Sequence, residues 1–168
     1  NADKDENNGP NRNIIIENCT FGFCHSALTF GSESIDSRNV LMRNCYVNNA
    51  VRLLWFKMRP DTPQKYAFVK LENIHGNARM FINVYAWKQF FDLKGGTESI
   101  KSSCHNVTMK NIDFTCTNFY AIEANPDIEL SDFTFENLTI KAENDAVNKD
   151  LIQGLNFKNV IVNDKNIE

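Results

Sequence analysis

The chain has 168 residues, with 18 Lys+Arg against 21 Asp+Glu and a net charge of −3. Hydrophobic residues make up 42 % and charged residues 23 %, the composition of a single globular domain; a disordered tail, a collagen-like repeat and a disulfide-dense miniprotein are excluded. No stretch approaches the roughly 20 apolar residues of a membrane helix, and the mild acidity gives no reason to expect a nucleic-acid partner.

Residues 1–12 read as a leading segment, with Asn1-Ala2 as a candidate tag scar. The chain opens at Asn1 with neither Met nor a charged-then-apolar leader, the pattern of a processed or excised polypeptide. Asp3-x-Asp5-x-Asn7 is not a calcium loop: the required Gly falls one position late and the twelfth position is Ile14.

Six segments then follow one template. They are Asn13 to Phe21 (NIIIENCTF), Asn39 to Val47 (NVLMRNCYV), Phe68 to Gly76 (FVKLENIHG), Asn106 to Phe114 (NVTMKNIDF), Asp132 to Ile140 (DFTFENLTI) and Gly154 to Val162 (GLNFKNVIV). Each places an asparagine at the same point: Asn18, Asn44, Asn73, Asn111, Asn137 and Asn159, spaced by 26, 29, 38, 26 and 22 residues. Apolar and polar residues alternate within each unit, so the units are strands. Short strands recurring near every 26 residues predict a solenoid of about six coils, a single-stranded parallel β-helix, with equivalent residues about 4.8 Å apart. Stacked asparagines then form a buried amide ladder. The sequons at Asn18, Asn106 and Asn137 are expected to be coincidental, because buried amides are poor glycan acceptors. The five cysteines contain no C-x-x-C and are expected as reduced, buried side chains, with Cys19 and Cys45 stacked in one register. The wide interval after Asn73 predicts a loop leaving the solenoid within Asn77 to His105, and such loops often carry binding.

Three stretches resemble the polygalacturonase family of glycoside hydrolases, family 28. Cys24 to Glu33 (CHSALTFGSE) looks like that family's G-H-G segment followed by an apolar strand and G-S-E, with His25 and Gly31-Ser32-Glu33 matching and both flanking glycines replaced. Arg52 to Met58 (RLLWFKM) looks like the segment ending R-I-K, with Lys57 on the Lys and Trp55 in place of the Arg. Tyr120 to Ile140 (YAIEANPDIELSDFTFENLTI) is similar to the closing coils. The resemblance implies a right-handed parallel β-helix, secreted or periplasmic, that cleaves galacturonan-type pectin of the plant cell wall with inversion. It implies no cofactor and no metal. The family's acids come from an N-x-D segment and a D-D pair upstream of the G-H-G coil. This chain has no Asp-Asp dipeptide, so the resemblance makes it the C-terminal part of such an enzyme, inactive alone.

The resemblance puts His25 in the cleft, where it sets the protonation of an acid, and Lys57 on the substrate. With Trp55 in place of the family Arg, the expectation is either a different sugar or galacturonate held by other cations such as Arg52 or Arg59. From Arg52 to Lys94 eight Lys/Arg face three acids, a +5 zone in an acidic chain that suits a polyanion. Trp55, Tyr85 and Trp87 are candidates to stack on sugar rings, with core packing as the competing role; Trp87 is placed on the substrate. His75 and His105 are expected to be incidental. Two other function classes fit a β-helix: a polysaccharide lyase, which wants a cluster of acids denser than the one near His25, and a non-catalytic carbohydrate-binding or structural module.

Overall fold

A computed structural model describes Asn7, residues 9–98 and residues 100–168. Asn1-Ala2, Asp3 and Asp5 lie outside the described residues. The protein is all-β, with no α-helix among the described residues. The strands are β1 (Asn11–Glu17), β2 (Thr20–Phe21), β3 (Leu28–Phe30), β4 (Asp36–Met58), β5 (Lys65–Ala86), β6 (Ser102–Ile122), β7 (Ile128–Asn144), β8 (Asn156–Val162) and β9 (Lys165–Ile167). They run in the order β1-β4-β5-β6-β7-β8-β9, with β2 and β3 also on β4. All pairs are parallel except β8 with β9. Long parallel strands stacked one repeat apart are consistent with a β-solenoid.

The register reproduces the sequence template. Val40 pairs with Val69, Val69 with Val107 and Val107 with Phe133. Two residues on, Met42, Leu71, Met109 and Phe135 stack likewise, and all four are fully buried. The core is therefore a set of columns along the stack, each built from one template position. Isolated, no such strand could bury its apolar face; stacking buries it on both neighbours.

The asparagine ladder exists, but outside the core. The Nδ2 of Asn73 donates to Asn44 Oδ1 at 3.0 Å, Asn111 to Asn73 at 3.1 Å, Asn137 to Asn111 at 3.0 Å and Asn159 to Asn137 at 3.0 Å. All six recurring asparagines are exposed and have φ between 52° and 56°. They are corners, where the chain turns through the left-handed region that Asn tolerates better than other side chains. This corrects the expectation of a buried ladder and removes burial as an argument about the sequons: Asn18 and Asn137 are exposed. The first template residue is a second corner. Asn13, Asn39, Phe68, Asn106, Asp132 and Gly154 all have positive φ, and Asn39 donates to Asn13 Oδ1 at 3.2 Å.

Phe68 is the misfit of that second column, a 53 % exposed aromatic at φ 55° beside His105. Left-handed backbone costs a bulky residue about 1 kcal/mol that Asn largely avoids. Phe68→Asn is therefore expected to raise the denaturant midpoint; a midpoint unchanged or lowered would show that the ring's contacts outweigh the strain.

All five cysteines are free thiols. Cys45, Cys104 and Cys116 are buried, while Cys19 and Cys24 are half-buried. Burial pushes the Cys116 thiol up to about 12, and Cys104 well above its ordinary value. The excursion from the stack is shorter than expected: Asn77 to Ala86 is strand, and the irregular stretch runs between β5 and β6.

Candidate functional site

His25 sits between β2 and β3, Arg52 and Trp55 on β4, Tyr85 near the end of β5, and Trp87, Lys88 and Gln89 at the start of the excursion; together they line a cavity of about 330 Å³. The stack makes this convergence simple. Trp55 pairs with Thr29 and with Asn83, and Lys57 with Tyr85, so residues distant in sequence become lateral neighbours. A larger groove of about 560 Å³, between Asn77, Thr115 and Lys141, contains none of the residues expected from sequence.

Two cations pack on the indoles that line the cavity: Arg52, itself part of the lining, and Lys57, which is not. The Arg52 guanidinium lies 3.9 Å from the centre of the Trp55 ring. Lys57 Nζ lies 4.7 Å from that ring and 3.8 Å from the Trp87 ring. His25 and Trp87 approach Trp55 at 5.5 Å and 5.7 Å, and Tyr85 stacks on it at 5.6 Å. Arg52 Nε donates to Asn83 Oδ1 at 2.8 Å, and Asn83 in turn donates to the Ala121 carbonyl. Burial lowers the pKa of Arg52 and of Lys57; Tyr85 opposes this at Arg52 and Glu33 opposes it at Lys57. Such desolvated cations over ring faces interact more strongly than they would in water.

Arg59 lies elsewhere. Its side chain is 2 % exposed, and its Nε and Nη2 grip both oxygens of Asp61 at 2.8 and 2.9 Å. Nη1 reaches Glu33 at 3.1 Å and Nη2 also reaches the Phe90 carbonyl. The expected substrate contact is thus a staple joining the Glu33 loop, the turn after β4 and the excursion that carries Trp87. It presents no guanidinium to the cavity. Asp61 completes the staple by accepting from the Asp92 amide at 2.9 Å.

One residue near this staple escaped sequence reading. Gln64 is fully buried; its Nε2 donates to the carbonyls of Ser32 and Ser34 and to Tyr66 Oη, and its Oε1 accepts from the Arg59 amide. Gln64 thereby shapes the loop of Gly31-Ser32-Glu33. Gly31, at φ 98°, packs so closely that a Cβ would lie 2.5 Å from the Lys57 carbonyl oxygen, which explains the glycine of that motif. The Ser32 hydroxyl, chiefly, holds the Glu33 carboxyl below its usual range, with Arg59 and Lys57 assisting.

Tyr46 with His75, and Phe68 with His105, form separate ring contacts away from the cavity. The cavity lining contains no carboxylate, and no group of three or more potential metal ligands occurs among the described residues. No helix among the described residues is long and apolar enough to cross a membrane. No protein-family model matches the chain, and no curated protein matches it.

Proposed function

We propose that this chain supplies the saccharide-binding cleft of a polygalacturonase-like glycoside hydrolase, built as about six right-handed coils of a parallel β-helix. Its substrate is an acidic plant cell-wall polysaccharide, and the protein works in a secreted or periplasmic setting. One observation carries the reading: Arg52 and Lys57, neither forming a short ion pair with an acid among the described residues, stand over the faces of Trp55 and Trp87, the two indoles that line one cavity. A uronate ring matches that pattern, with an apolar face for Trp87 and a carboxylate for the cations.

Inverting hydrolysis needs a protonated carboxyl for the leaving oxygen and a carboxylate for the water, about 6.5–9.5 Å apart. The cavity lining offers neither, so in this reading both acids come from coils that precede this chain in its parent enzyme, and His25 tunes the protonation of one of them. The same lack of carboxylates favours a second reading, a carbohydrate-binding module that cleaves nothing.

Calorimetric titration with trigalacturonate and with neutral galactotriose tests the shared premise. The acidic trimer should bind more tightly, with a margin that shrinks as salt rises. Equal affinities, or none for either trimer, refute the saccharide reading. Reducing-sugar release from polygalacturonate by a form carrying the upstream coils separates the hydrolase from the module.

The lowered Lys57 pKa adds a pH prediction. Binding of the acidic trimer requires the ammonium, so affinity should fall as pH rises through a midpoint below that of an ordinary lysine. Stability moves the opposite way: between the lowered folded value and the ordinary unfolded one, the unfolded chain binds more protons, so stability rises with pH. Lys57→Arg should abolish the fall in affinity over that range, and an unshifted fall in that variant would assign the titration to another group.

A further inference from the structure

Trp55 is buried in an unusual way. Its neighbours Leu54 and Phe56 point into the main core, and both belong to the core cluster. Trp55 alternates to the opposite face and is absent from that cluster, yet it is only 2 % exposed. What covers it is the cleft itself: Arg52, Lys57, Tyr85, Trp87 and His25 all contact its ring. A ring enclosed in this way has no free face for a sugar, so the stacking role considered for Trp55 does not apply. Its Nε1 has no hydrogen-bond partner, and neither does Nη1 of Arg52, although both atoms are buried. A buried indole N–H normally finds an acceptor. Two cations and two unmatched donors therefore surround one ring, beside a cleft whose own lining includes Arg52 and no carboxylate.

We propose that Trp55 is the specificity-determining residue of this cleft, fixing Arg52 and Lys57 on its ring so that an anionic saccharide is selected over its neutral counterpart. The inference rests on the saccharide reading above and adds to it a positioning role at a place where the resembling family carries an arginine. A guanidinium there would grip the ligand directly. The indole instead grips the two cations that do so, and holds them out of water.

The test uses the whole chain with Trp55→Leu and Trp55→Phe. Leu removes the ring face; Phe keeps a face and loses the N–H. Affinities for trigalacturonate and galactotriose are measured for all three proteins, together with the titration midpoint of Lys57 by NMR. Trp55→Leu should cut the acid-over-neutral preference by about tenfold, the scale of one desolvated cation–ring contact. It should also return the Lys57 midpoint toward the ordinary lysine range, with Trp55→Phe intermediate in both. A wild-type protein that prefers the acidic trimer, beside a Leu variant that keeps the preference or leaves the Lys57 midpoint unmoved, overturns the role of Trp55 and spares the saccharide reading. A wild-type protein without the preference overturns both. Should the Leu variant fail to fold, the Phe variant decides, since an unchanged preference there with an unmoved Lys57 midpoint also overturns the proposal.

Discussion

Gly76→Ala is expected to be the most destabilising single-methyl change in this protein. A Cβ at Gly76 would sit 1.8 Å from the carbonyl oxygen of Val47 and 2.7 Å from its carbon, both backbone atoms that no rotamer change can move. The residue also has φ 133°, in a region that L side chains rarely adopt. The site is a junction. Between Val47 and Ala50 the register of β4 against β5 shifts by one residue, and Gly76 lies opposite Val47 where that bulge begins. Adding a methyl must push β4 and β5 apart or refold the bulge. Its neighbours in the column, Val47 and Phe114, are buried, so the displacement would open the core. A loss of about 3–5 kcal/mol is expected from urea unfolding, the range of severe core disruption. A loss below about 1 kcal/mol would mean that the strands can separate at this bulge without opening the core.

Asp61→Ala is expected to have the second largest effect, and to reach the cleft. It strips a 2 % exposed guanidinium of its bidentate partner, leaving only the half-exposed Glu33 and a carbonyl. Removing one member of a buried pair typically costs about 3–5 kcal/mol, because the remaining charge stays desolvated. Asp61 also anchors the Asp92 amide, so the excursion that carries Trp87 and Lys88 should loosen with it. Urea unfolding should therefore shift strongly, and affinity for trigalacturonate should fall with it. A second variant, Asp61→Asn, keeps the hydrogen-bonding shape and removes the charge; it should lose less stability than Ala. Equal losses in the two variants would show that shape contributes nothing at this staple.

Much of the fold was legible because its period is written in residue types. The recurring asparagines located every corner of one kind, and the alternating apolar positions gave the core columns, with Met42, Leu71, Met109 and Phe135 in register as the template required. Sequence misjudged why the asparagines recur. A stack alone suggests burial and amide pairing, whereas backbone conformation is the stronger demand, and Asn meets it from the exposed side at φ 52°–56°. The second corner was hidden because Asn, Phe, Asp and Gly all occupy it, a mixture that reads as noise until φ is known. For the cleft, sequence singled out His25, Arg52, Lys57 and Trp87, which the stack brings around Trp55. It gave no means of telling Arg52 from Arg59: both are basic residues close together on β4 or just beyond it. The difference is a carboxylate two residues away and a carbonyl 31 residues on, and only three-dimensional packing pairs them. Gln64 offered no signal at all, since one glutamine in a turn looks like any other.

The corner ladder has a further consequence for how such a protein can change. Every rung runs in the same sense, with the amide nitrogen of the later asparagine donating to the oxygen of the earlier one. The rung from Asn111 to Asn73 closes at 3.1 Å across 38 residues, and the rung from Asn137 to Asn111 at 3.0 Å across 26. The ladder is indifferent to contour length; it registers only that a corner returns to its place. Extra residues can be spooled out between corners without disturbing the column above or below, and the longest interval is the one that delivers Trp87 and Lys88 to the cleft. The scaffold thus separates two kinds of inheritance: corners transmit the shape, while the intervals between them are free to be rewritten as binding surface.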